Sequence, residues 1–338
     1  MSRLLVSDAL EVPLRHSRCG PVFVIGHARS GTSLTCRLLL DCLQVNFGTE
    51  SQFFIRYHRK LASYGDLHDD RNLRLLLYDI SSERFFTRTR RNFGFVLDVE
   101  RALREMKERT YPAALRSIFG QFAHSCGATR WGDKTPAYAA HLPVLLEMFP
   151  DAQFIHVLRD GRDAAVSLFK VGFGPKNAYE AAVGWQKSVN AIWTFAAGLP
   201  REQFFELRYE RLLVDPVTTM TDLARFLGVE EPDAVVAASA HALREYVRAN
   251  NANKWPTLLT RRDIDCFEAV AGTELERGGF ALAAGRARRR LSPTAALFWR
   301  LHGAFCRLRR RDYWRDNLYK LRLRARAATL PVRRLQSS

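Results

Sequence analysis

Residues 21–42, PVFVIGHARSGTSLTCRLLLDC, constrain the chain more tightly than any other stretch. Residues 21–25 are almost wholly apolar, as expected of a strand buried on both faces. Gly26-His27-Ala28-Arg29-Ser30-Gly31-Thr32-Ser33 follows with no room for a long loop. Leu34, Leu38 and Leu39 then recur at helical spacing, with Cys42 and Leu43 one turn on, which predicts a helix over 33–43. Strand, glycine-bearing turn and helix together make an anion cradle. The glycines let the backbone approach a phosphate, and the free N–H groups of the first helical turn point at it.

Further along, short apolar runs at 44–47, 153–158 and 204–207 alternate with helical patterns. Residues 130–136 read as a strand end and a turn, followed by a helix over 137–149. Helices are expected at 178–197, 216–227 and 232–240, and shorter ones at 70–78, 100–109 and 112–124. The alternation predicts an α/β fold: a central, mostly parallel β-sheet flanked by helices in a three-layer sandwich. In such sheets ligands sit beyond the carboxyl ends of the strands. The polar clusters around Arg29, Glu50, Lys134, Arg159 and Tyr209 all fall at predicted strand ends, which places one site there.

Composition narrows the function. A hydrophobic fraction of 47% supports a real core in 338 residues. The net charge of +17 suggests a nucleic-acid binder until it is located. Residues 286–338 hold sixteen Lys/Arg against Asp312 and Asp316, so +14 of the total lies there. No nucleic-acid motif accompanies it, so nucleic acid is not the expected partner. The stretch alternates Leu, Trp, Phe and Tyr with Arg. This predicts a basic amphipathic helical tail that either lies on anionic membrane or packs one face on the domain. The six cysteines form no CxxC pair and share no metal-ligand spacing with histidine, so reduced core thiols and no metal are expected. Residues 1–19 are a polar lead-in without the apolar core of a signal peptide, and no run approaches 18 apolar residues; the expected compartment is the cytosol.

The loop has the G-x-x-x-x-G spacing of a P-loop, but Thr32 stands where a triphosphate-binding loop carries lysine. That lysine and Mg²⁺ neutralise the β and γ groups, so this P-loop-like element suits a phosphate that is not a triphosphate. Arg29-Ser30-Gly31-Thr32-Ser33 resembles the 5′-phosphosulfate loop of sulfotransferases that use 3′-phosphoadenosine 5′-phosphosulfate (PAPS). The sequence Val157-Leu158-Arg159-Asp160-Gly161-Arg162-Asp163, with Ser167 eight residues after Arg159, resembles their 3′-phosphate element. Residues 209–216 with Phe226-Leu227-Gly228 are similar to the family's Y-E-D-L…P…FLG stretch, with Arg211 where Asp is usual. Asn253-Lys254-Trp255 resembles the closing loop of bacterial and tyrosylprotein-type members.

The resemblance spans residues 20–282 and implies a domain over 20–285, with PAPS as donor, 3′-phosphoadenosine 5′-phosphate (PAP) as product, and no metal requirement. It implies donor contacts from Arg29, Ser30, Gly31, Thr32, Ser33, Arg159, Ser167, Tyr209 and Lys254. Arg29 faces the scissile bond, and Lys134 is a second cation. Glu50, 21 residues after Arg29 in a Gly48-Thr49-Glu50 context, is the candidate base. A capping or pairing Glu would read the same, and His27 is the competing base. The acceptor is a hydroxyl on a glycan, glycolipid, phenol or tyrosine, met by the helical insert 51–128. That insert contains two basic-aromatic patches whose rings either face the acceptor or fill a core. A non-catalytic nucleotide- or membrane-binding protein and a kinase-like enzyme are the alternatives.

Overall fold

The computed structural model describes residues 14–171, 174–283 and 291–308. Five strands, β1 (Val22–Ile25), β2 (Val45–Phe47), β3 (Arg130–Asp133), β4 (Gln153–Leu158) and β5 (Phe204–Arg208), form one sheet in the order β2-β3-β1-β4-β5. Every pairing is parallel; Val22 and Phe23 lie opposite Gln153 and Phe154 on β4, and opposite Gly132 and Asp133 on β3. The helices are α1 (Thr32–Leu43), α2 (Phe54–His58), α3 (Asp70–Ser81), α4 (Arg84–Phe93), α5 (Val99–Glu105), α6 (Tyr111–Ser125), α7 (Leu142–Met148) and α8 (Gly161–Phe169). They continue as α9 (Ala178–Ala196), α10 (Tyr209–Val214), α11 (Pro216–Leu227), α12 (Pro232–Ala238), α13 (Ala240–Tyr246), α14 (Trp255–Leu258), α15 (Arg261–Arg277) and α16 (Pro293–Leu308). The protein is therefore the expected α/β sandwich.

Alternation along β1 shows the three layers. Val22 and Val24 join a core with Leu38, Leu39, Met220 and Leu223, against α1 and α11. Phe23 and Ile25 face the opposite core, which holds Phe53, Phe54, Phe85, Phe119 and Phe122. Phe23 stacks on Phe154 at 5.5 Å, and Phe54 meets Phe119 edge-on at 5.1 Å. The insert is thus the packing layer for one face of the sheet. Its basic-aromatic patches resolve in the same way. Phe53, Phe54, Tyr57, Phe85 and Phe86 are buried, while Arg56, Arg59, Arg84 and Arg88 are exposed. Burying each such ring stabilises the fold by about 1.5–3 kcal/mol, which accounts for their density without an acceptor.

Some boundaries differ from expectation. The helix expected over 137–149 is a 3₁₀ turn, Pro136–Ala140, followed by α7. Pro143 lacks an N–H, and its ring keeps Leu142 from continuing a preceding helix. The helix expected over 100–109 starts one residue earlier, where Asp98 accepts from the Arg101 N–H at 2.9 Å, and ends at Glu105. Of the tail predicted over 286–338, α16 is helical, and residues 286–290 and 309–338 lie outside the described residues.

Candidate active site

The carboxyl ends of all five strands open on one edge of the sheet. From β1 the chain leaves toward β2, and from β4 it leaves toward β5, so the topological switch point lies between β1 and β4. The loop after β1 ends there. Its turn is closed by Ser30 N–H donating to His27 O at 3.1 Å. Arg29 sits at φ 70°, a left-handed conformation that costs a non-glycine residue about 1 kcal/mol or more. Gly31 has φ 96°, and a Cβ there would overlap the Tyr209 ring, so only glycine fits. No side chain caps α1, which leaves its first-turn amides for an anion. Ser30 and Thr32 are buried; Ser33 is exposed.

The second grip lies across the switch point. Arg159 is buried at the end of β4, and Trp185 Nε1 donates to its carbonyl at 3.1 Å. Its Nη1 donates to Arg29 O at 3.0 Å and its Nη2 to Asn251 O at 2.7 Å. The guanidinium lies 4.5 Å above the Tyr209 ring, and its Nε is buried without a partner among the described residues. Arg29 reaches over from the loop, its Nε donating to Ser167 Oγ at 3.0 Å. Asn251 Nδ2 donates to Tyr209 Oη at 2.7 Å, and Lys254 Nζ to Asn251 Oδ1 at 3.0 Å. The structure thus brings Arg29, Gly31, Arg159, Ser167, Tyr209 and Lys254 into one connected cluster.

Glu50 and Lys134 form a separate pair at the ends of the neighbouring strands β2 and β3. Lys134 Nζ lies 2.9 Å from Glu50 Oε1, and Gln52 Nε2 donates to Oε2 at 3.1 Å. Both side chains keep partial exposure, 33% for Glu50 and 18% for Lys134, so the pair is open to a substrate. Lys134 also lies close enough to α1 to act on Cys36. Burial pushes that thiol up, and the ammonium opposes the shift. Burial lowers His27 to about 4, so it is neutral at pH 7 and a weak base.

Two features were not picked out from sequence. Asp163 accepts main-chain N–H bonds from Asn253 at 2.6 Å, Lys254 at 2.9 Å and Trp255 at 2.9 Å, clasping the 251–255 segment onto α8. Arg162, fully buried, bonds Asp160 at 2.7 Å and Glu268 at 2.5 Å, and lies 3.6 Å over the Trp255 ring. Asp163 stands inside the quoted motif, but its partners are backbone groups some 90 residues away, which no side-chain pattern reveals.

A parallel α/β sandwich whose loops after β1 and β4 meet at the switch point belongs to the class of folds that place ligands at that point. A sequence model described as the sulfotransferase family matches residues 21–233, and the chain belongs to that family. It is 24% identical over 239 residues to protein-tyrosine sulfotransferase 1 of Danio rerio, covering 69% of this chain and 60% of the relative. It is 25% identical over 250 residues to the omega-hydroxy-beta-dihydromenaquinone-9 sulfotransferase Stf3 of Mycobacterium tuberculosis, covering 62% and 63%. The chain thus spans about three fifths of the length of these relatives. Among solved structures, the sulfotransferase domain from the curacin biosynthetic pathway overlaps 79% of this chain and all of its own length, at 19% identity and a TM-score of 0.49.

Proposed function

We propose that the chain transfers a sulfuryl group from PAPS to an acceptor hydroxyl by in-line displacement. The observation that carries this reading is the joining of two anion-binding elements through Arg29, Ser167 and Arg159 at the switch point. A ligand with phosphates at both ends of one nucleoside fits two adjacent grips; a triphosphate needs only the first, with the lysine that Thr32 replaces. The amides of α1, with Ser30, Thr32 and Ser33, hold the 5′-phosphosulfate. Arg159 and Ser167 take the 3′-phosphate, and Tyr209 and Lys254 flank the nucleotide.

Glu50 and Lys134 supply the chemistry. The acceptor oxygen attacks sulfur, the bond from sulfur to the bridging phosphate oxygen breaks, and PAP leaves with the electron pair. Glu50 takes the acceptor proton. Protonation of Glu50 cancels its attraction for Lys134, 2.9 Å away, which frees the ammonium to neutralise the departing phosphate. The acceptor is a hydroxyl compound such as a glycan, a lipid-borne alcohol or a phenol. The relatives named for a protein tyrosine and for a menaquinone derivative support that range. The six unpaired thiols suit a reducing cytosol.

Sulfur-labelled PAPS, incubated with the chain and fractionated cell extract, should label at least one hydroxyl-bearing fraction. Glu50→Gln should bind PAP as the parent does and reduce labelling by about a hundredfold or more. Label transfer undiminished in Glu50→Gln would remove Glu50 from the role of base. No labelled fraction, with PAP binding intact, would favour a non-catalytic nucleotide-binding protein.

A further inference from the structure

Among the described residues, one side of helix α16 packs on the domain, and the other keeps apolar side chains exposed. On the inner side Asn177 Nδ2 donates to Trp299 O at 2.9 Å, and Arg300 Nε to Tyr179 Oη at 3.2 Å. Gly303 is buried against Glu180 of α9, so closely that a Cβ would overlap its carboxylate. On the outer side Leu297 is 56% exposed, Phe298 50%, Leu301 61% and Phe305 56%. At the helical period these four fall within an arc of about 100°. Single exposed apolar side chains are ordinary, but a contiguous helical stripe of them marks a contact surface.

Its surroundings identify the contact. The 30 residues after α16 hold ten Lys/Arg and two acids, and Arg286, Arg288, Arg289 and Arg290 precede the helix. An apolar stripe between two strongly cationic segments complements an anionic lipid surface. The same charge disfavours pairing two copies of this face, because like charges would be brought together. No helix among the described residues is long and apolar enough to cross a bilayer.

The stripe also borders a cleft between α16 and the end of α8. Phe169, two residues beyond Ser167 and 37% exposed, lines with Phe298 and Trp299 a cleft of about 420 Å³. We propose that the Leu297, Phe298 and Leu301 face of α16 docks the domain, in the plane of the interface, on an anionic membrane. The Phe169 end of α8 then lies next to the lipid surface.

Co-sedimentation of the full chain with vesicles tests the docking. The probes are phosphatidylglycerol–phosphatidylcholine vesicles and pure phosphatidylcholine vesicles, with PAP-induced thermal shift measured on the same samples. The parent should bind the anionic vesicles and not the neutral ones. Leu297→Glu/Leu301→Glu should weaken that binding by about tenfold or more and keep the parent's thermal shift. Leu301→Gln alone should give a smaller loss, a milder check if the double variant is unstable. Anionic-vesicle binding that is absent in the parent, or unchanged by both variants, overturns the proposal. So does a dimer in sedimentation velocity that the double variant dissolves, since it assigns the face to a second copy. Stripe-dependent vesicle binding without any PAP-induced shift supports the docking and overturns only the donor-site reading.

Discussion

Arg29 Nε donates to Ser167 Oγ at 3.0 Å, across 138 residues of sequence. The bond ties the loop after β1 to the helix after β4, so the two predicted anion-binding elements meet in one surface. Arg159 reinforces the tie by donating to the carbonyl of the same Arg29 at 3.0 Å. Arg29 is therefore oriented toward the second grip in this structure, and its left-handed backbone conformation presents the carbonyl that Arg159 holds.

Lysine should not substitute for Arg159. Its planar fork spans two carbonyls and stacks on Tyr209, which a single ammonium cannot do. Arg159→Lys should weaken PAP binding by about 2 kcal/mol, some thirtyfold in Kd, by isothermal calorimetry. An unchanged Kd would separate Arg159 from the donor site.

Asp163 should govern the order of the segment it clasps. Asp163→Ala removes three hydrogen bonds to an anionic acceptor and should destabilise the 251–255 segment by about 3 kcal/mol. Faster amide exchange confined to residues 250–256, with weaker PAP binding, is the expected result. Exchange that rises uniformly would show that Asp163 supports the whole domain instead.

Buried His27 and Asp133 give stability opposite slopes with pH. Burial lowers His27 from 6.5 to about 4, so its contribution is complete above 6.5 and lost as pH falls through about 4. Burial raises Asp133 from 3.8 to about 6, so its contribution is complete below 3.8 and lost as pH rises through about 6. Between pH 4 and 6 the two oppose each other. Relative to the parent, His27→Gln should lose stability as pH rises over that range and Asp133→Asn should gain it, each by at most about 1.4 kcal/mol per pH unit. Urea titrations at pH 4, 5 and 6 check both signs; matching slopes in the two variants would contradict the assignment.

Much of this fold could be read from local sequence, because its candidate site residues stand at strand ends marked by apolar runs. The turn containing Arg29 and Gly31, the Arg159–Ser167 spacing and the positions of Glu50 and Lys134 are all of this kind. The salt bridge between Glu50 and Lys134 was not readable, because it depends on β2 and β3 becoming neighbours. The role of Asp163 was hidden for a related reason: it binds main-chain amides, which every residue carries. The rings of 51–128 were ambiguous until the sheet face they cover was known. For the tail, sequence left packing and membrane contact both open, and α16 shows one face engaged with α9 while the other remains exposed.

Calorimetric titration with PAP and with ATP asks whether one ligand carries phosphates to both grips. PAP has a 3′-phosphate for Arg159 and Ser167, whereas ATP lacks it and finds no lysine at Thr32. PAP should bind at least about thirtyfold more tightly than ATP, near 2 kcal/mol. Equal or tighter binding of ATP would contradict it.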